Sequence, residues 1–233
     1  MKLRPALLRS TVLLIGLLAL AGCEKVPPKA PATAATPATA PAQDALRPGV
    51  DYAEIPNGAP FEPQAGTVEV VEVFGYTCPH CAHFEPQLGA WAARQPADVR
   101  VLPVPAPFGN YWTPFAKAFY AAEEAGVLGK SHAAVFRALH EENALPTPPA
   151  TATNAQVAQF YARFGVDAAD FERRMDSASV AAKLQRAEAF IARSGVDATP
   201  TLVVNGRYRV LGQSFEDMLR IADALVARER AAR

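Results

Sequence analysis

Phe74-Gly75-Tyr76-Thr77-Cys78-Pro79-His80-Cys81 is the stretch that decides how this chain is read. Its two cysteines stand two residues apart, a spacing that closes too small a ring to constrain an unfolded chain and suits a pair that reacts or binds metal. Pro79 fits the first turn of a helix, where its missing N–H costs nothing, and Phe84, Leu88 and Trp91 then recur at helical spacing. Cys78 is thereby placed at a helix N-terminus, where unpaired N–H groups and the helix dipole favour negative charge. A thiolate, not a thiol, attacks a disulfide, so Cys78 is the predicted attacking sulfur. Cys81, one turn on and facing inward, is the predicted resolving partner.

Outward from this stretch the pattern is regular. Residues 67–74 are nearly continuous valine broken by Glu69 and Glu72, which describes a strand covered on both faces. Residues 99–104 return as a second strand, giving a βαβ unit with a right-handed connection. Residues 52–55 form a short first strand before the Pro56-Asn57-Gly58 turn. The middle of the chain changes character: Phe115/Phe119/Ala122, His132/Val135/Phe136/Leu139, Val157/Phe160/Tyr161/Phe164 and Val180/Leu184/Ala187/Ile191 each mark one helical face. Asn205-Gly206 is a hairpin signal between residues 201–204 and 207–211, and an amphipathic helix through Phe215, Met218, Leu219, Ala222 and Leu225 ends the chain. The order predicts an α/β, thioredoxin-like fold, a central mixed sheet flanked by helices, with a helical domain inserted at about residues 112–194.

Composition narrows the partners. Of the 233 residues, 23 are Lys or Arg and 23 are Asp or Glu, so no basic field draws in nucleic acid. Lys2, Arg4 and Arg9 precede an apolar run at residues 11–21 that is too short for a membrane-spanning helix and reads as an export signal. It ends Leu20-Ala21-Gly22-Cys23, which resembles a bacterial lipobox, so residues 1–22 are read as signal peptide and Cys23 as the lipid attachment point. The rival is plain cleavage of a soluble protein. Residues 23–47, rich in Pro, Ala, Thr and Lys, are read as a tether that spans roughly 70 Å at about 3.1 Å per residue. The catalytic domain is then residues 48–233.

The quoted stretch and the later Thr199-Pro200-Thr201-Leu202-Val203-Val204-Asn205-Gly206 resemble the DsbA family of periplasmic disulfide oxidoreductases. A gap of about 120 positions between the two motifs leaves room for the helical insert of that family. The resemblance implies a cis bond at Thr199-Pro200, with Thr199 backbone groups facing Cys78 and pairing with an extended substrate chain. An ordinary trans proline at a strand start is the alternative. His80 is expected to donate a hydrogen bond or partial positive charge to the Cys78 sulfur, against the plainer reading of a solvated histidine.

Glu72 stands where such proteins hold a buried acid that assists proton transfer from the second cysteine. No lysine partner is evident for it, since residues 99–104 supply Arg100 only. His83, His132 and His140 read as surface or packing residues away from the motif. Cys78, His80, Cys81 and His83 are also four zinc-type ligands, but successive positions on one helical turn diverge too far to meet at one tetrahedral metal, so no metal is expected.

The resemblance implies an oxidase that accepts electrons from reduced, exported proteins with no cofactor beyond the Cys78–Cys81 disulfide. It implies reoxidation by a quinone-linked membrane protein of the DsbB type. The expected setting is the periplasm of a Gram-negative bacterium, as a lipid-anchored monomer; Glu24, where an aspartate would retain the anchor at the inner membrane, favours the outer one. A tethered reductase or isomerase shares the motif, and a non-catalytic holdase is the rival from another class.

Overall fold

The computed structural model describes residues 46–233. The signal peptide, the lipobox with Cys23 and nearly all of the proposed tether lie outside the described residues. Leu46 already packs against the core and Arg47 pairs with Asp51 at 3.1 Å.

Among the described residues, five strands and seven α-helices follow one another in the order β1 (Tyr52–Glu54), β2 (Val68–Phe74), α1 (Pro79–Ala92), β3 (Val99–Pro105), α2 (Thr113–Glu124), α3 (Leu128–His140), α4 (Asn154–Tyr161), α5 (Ala168–Met175), α6 (Ala178–Arg193), β4 (Thr201–Val204), β5 (Tyr208–Val210) and α7 (Phe215–Ala231). The strands form one mixed sheet in the order β1-β5-β4-β2-β3. Central β2 is parallel to β3 and antiparallel to β4, and every one of its residues is buried, as its valine-rich sequence requires of a strand covered on both faces.

The two-residue period of β2 feeds two cores. Val68 and Val70 pack with Phe84, Leu88 and Trp91 of α1 and with Ile221 and Leu225 of α7. Val71 and Val73 belong to a second cluster that runs into the helical insert through Phe115, Phe119 and Phe136. The insert, α2 to α6, therefore shares a continuous core with the sheet.

Local signals place the turns. Asn205 and Gly206 both take positive φ, 50° and 64°, as a tight hairpin demands, and Arg207 closes that turn by donating to the Val204 carbonyl at 2.9 Å. β5 accordingly starts one residue later than its sequence pattern predicts. Thr153, Asp167, Ser177 and Ser214 cap α4, α5, α6 and α7 with side-chain oxygens. Helix α1 is different: its cap is a cysteine.

Candidate functional site

Cys78 occupies the N-cap of α1 in extended conformation, and its sulfur accepts a hydrogen bond from the Cys81 amide at 3.3 Å. Serine or aspartate oxygen usually fills this position; a thiolate there receives the same orphan amides and the positive end of the dipole. Pro79 follows in the first turn, where it withholds no needed donor. Both cysteines are unbridged and approach to 3.0 Å.

The two sulfurs are driven in opposite directions. Hydrogen bonding from Cys81, above all, lowers the Cys78 thiol from 9.0 to about 5; the Thr199 hydroxyl and the backbone N–H groups of Cys81 and His80 add to this against the raising effect of burial. Burial, followed by the neighbouring Cys78, pushes the Cys81 thiol far above its ordinary range. One sulfur is an anion at neutral pH and the other keeps its proton.

Thr199-Pro200 is a cis peptide bond, and the Thr199 carbonyl lies 3.5 Å from the Cys78 sulfur, so two motifs distant in sequence meet at one atom. His80 is solvent-exposed, and what it gives the sulfur comes through its backbone N–H. His83 is exposed as well, and among the described residues no group of three or more His, Cys, Asp and Glu side chains converges to hold a metal ion.

Glu72 is 1% exposed, and neither carboxylate oxygen has a hydrogen-bond partner among the described residues. Burial raises its carboxyl well above the usual range, and the charges of Glu85 and Cys78 push it further. Its register neighbours are Pro103 and Leu202, neither of which carries a charge. Arg100 lies lower on β3, opposite Glu69, and donates to the Glu62 carbonyl at 2.9 Å.

Two histidines correct the sequence reading. His132 and His140, read from sequence as lying away from the motif, both grip it: His132 Nδ1 is 2.7 Å from the Tyr76 hydroxyl, and His140 Nε2 is 2.7 Å from the Tyr76 carbonyl. They are 56 and 64 residues from Tyr76, and only the packing of α3 against α1 brings them together. Their spacing, His132/Phe136/His140 on one helical face, was the available signal.

A family model described as thioredoxin matches residues 62–224. The thiol:disulfide interchange protein DsbA of Azotobacter vinelandii is 37% identical over 187 residues, 79% of this chain and 85% of the relative. The protein of that name from Pseudomonas aeruginosa is also 37% identical, over 79% of this chain and 86% of its own. Among solved structures, the oxidoreductase DsbA from Xylella fastidiosa superimposes with a TM-score of 0.76 at 50% identity, covering 80% of this chain and 98% of that one.

Proposed function

Because this chain belongs to the DsbA family of thiol:disulfide oxidoreductases in the thioredoxin superfamily, we propose that it introduces disulfide bonds into exported proteins by exchange through Cys78 and Cys81. The observation that carries this reading is the geometry of the unequal pair: the Cys78 sulfur caps the helix and accepts from the Cys81 amide at 3.3 Å, which favours its anion, while Cys81 is fully buried, which favours its thiol. A stabilised Cys78 thiolate favours the reduced enzyme, which makes the oxidised form a strong donor of its disulfide.

In the oxidised enzyme a substrate thiolate attacks the Cys78 sulfur. The Cys78–Cys81 bond breaks as the Cys78–substrate bond forms, and Cys81 leaves as a thiolate. Its high proton affinity is met by Glu72, which is held protonated by burial near the pair and delivers the proton. The second substrate thiol loses its proton to solvent, from which Glu72 is recharged, and its thiolate attacks the substrate sulfur of the mixed disulfide, so that Cys78 departs as a stable anion. Two electrons have moved from the substrate thiols to the enzyme dithiol.

Pro79 opens the helix without competing for the sulfur, the His80 ring stands in solvent where an incoming chain meets it, and the Thr199 backbone before Pro200 offers an edge to extended substrate. The cysteine pair is the redox centre. Reoxidation falls to a quinone-linked membrane partner of the DsbB type. The protein works as a monomer in the periplasm of a Gram-negative bacterium, held by acylated Cys23 to the outer membrane in preference to the inner.

Oxidised protein mixed with a reduced, unfolded disulfide protein tests the chemistry. Substrate disulfides are expected to form as the Cys78–Cys81 bond is consumed; Cys81→Ser, first charged on Cys78 as a mixed disulfide with glutathione, is expected to pass Cys78 to a single-cysteine substrate with release of glutathione and to hold it there, while Cys78→Ser is inert. A pair found mainly reduced in cells, with net consumption of substrate disulfides, marks a reductase instead. For the anchor, Cys23→Ser is expected to move the protein from the membrane to the soluble fraction; retention in the membrane contradicts acylation at Cys23.

A further inference from the structure

Cys78 reaches the cap of α1 through a turn in which its own N–H donates to the Gly75 carbonyl at 3.0 Å. The helical insert grips that turn from two sides. Trp112 lies so close over Gly75 that a methyl group there would overlap the indole ring. Tyr76, 2% exposed, is held by α3 at both ends: hydroxyl to His132 and carbonyl to His140, with the Phe136 ring packed between them at 5.0 Å.

The chemistry of the atoms fixes one of these protons. A carbonyl only accepts, so His140 Nε2 carries hydrogen. Burial, followed by Tyr161 and Glu85, pushes the Tyr76 phenol well above its ordinary range, so it keeps its O–H and, able to donate or accept, pairs with His132 Nδ1 at 2.7 Å. The other ring nitrogen of His132 faces a Glu85 carboxylate oxygen at 3.4 Å. Glu85 sits on α1 itself, so the chain Tyr76–His132–Glu85 ties the turn before Cys78 to the helix after it.

We propose that His132 and His140 are positioning residues for Cys78, holding Tyr76 and hence the turn that sets the Cys78 sulfur against the Cys81 amide. The sulfur's stabilisation rests on hydrogen bonds whose strength falls steeply with misalignment. Without His140 the buried Tyr76 carbonyl loses its donor, and the cheapest remedy is rotation of the Tyr76–Thr77 peptide, which moves Cys78. The insert thereby acts on the reactivity of the cysteine as well as covering the sheet.

Thiolate absorbance of the purified, reduced full-length protein against pH reads the effect. Tyr76→Phe, His132→Leu and His140→Leu are each expected to raise the Cys78 midpoint by about one unit, a tenfold loss of thiolate at acidic pH. Tyr76→Phe combined with His132→Leu is expected to do no more than either alone, because one bond is removed twice. His140→Gln, which keeps a donor in place of Nε2, and His132→Asn, which keeps an acceptor in place of Nδ1, are expected to restore the midpoint. Val135→Ala, a buried change on the same helix, serves as control: it lowers the melting temperature and leaves the midpoint in place. The proposal is overturned if Tyr76→Phe and His140→Leu reduce only thermal stability, or if Val135→Ala shifts the midpoint equally. An ordinary midpoint in the unaltered protein instead strikes at the unequal pair itself, so the two failures are distinct.

Discussion

Glu69 and Glu72 lie on one strand and are both buried, at 2% and 1% exposure, yet they are opposite in kind. The two-residue period turns them to different faces of β2. Glu69 accepts from the Phe61 and Glu62 amides at 2.5 and 2.7 Å, and its backbone pairs with Asn205 in both directions at 2.9 and 2.7 Å. Glu72 has no hydrogen-bond partner among the described residues and lies within electrostatic reach of Cys78. A satisfied buried acid pins a loop, whereas an unsatisfied one beside a reactive sulfur is a proton store that the fold carries at a cost in stability.

The contrast breaks most visibly under Glu69→Leu. One buried and one partly buried amide lose their acceptor, and a loss of about 3 kcal/mol is expected in denaturant unfolding, with turnover per folded molecule unchanged. A loss well under 1 kcal/mol would show that the loop finds other acceptors.

Glu72→Leu sharpens it from the other side. A carboxyl whose folded pKa is raised above 4.5 contributes its stability below that value and loses it as pH rises toward the folded one, so near pH 7 the native acid is a net cost. The variant is expected to be more stable than the parent by about 1 kcal/mol or more at neutral pH, with the gain vanishing near pH 4. Disulfide transfer is expected to slow by roughly tenfold to a hundredfold because Cys81 departs without a proton donor. Stability that falls in the variant, or a transfer rate that stays level, would deny Glu72 this role.

Arg100→Ala is the smallest change. Its guanidinium holds Glu62 in the same loop that Glu69 pins, partly in solvent, and a loss of only about 0.5 kcal/mol is expected with no effect on transfer. A substantial fall in transfer rate would link this loop to the site.

Sequence pattern revealed the architecture where local chemistry is decisive. The valines of β2, the Asn205-Gly206 turn and Pro79 after Cys78 each specify one local structure with few rivals, and the cap, hairpin and central strand follow them. Cys78 and Cys81 were legible for the same reason, whereas Thr199-Pro200 stood out only through its place before a strand and the family resemblance, since the dipeptide recurs elsewhere in the chain. The partners of Tyr76 were not, because a histidine on an amphipathic helix looks alike whether its ring meets solvent or a loop far away in sequence. Glu69 was hidden too: nothing in residues 61 and 62 announces that their amides need an acceptor. Long-range polar contacts depend on how elements dock, and periodicity records only which face docks.

The disulfide chemistry depends on the charge of one sulfur, and its titration is the most direct test. Alkylation rate of Cys78 in the reduced protein, followed across pH, is expected to rise with a midpoint of about 5. Linkage requires the matching stability profile: the contribution to the reduced form is complete above about pH 9, declines as pH falls, and is gone below about 5. A midpoint in the ordinary thiol range, with reduced and oxidised forms equally stable at pH 7, would contradict the account.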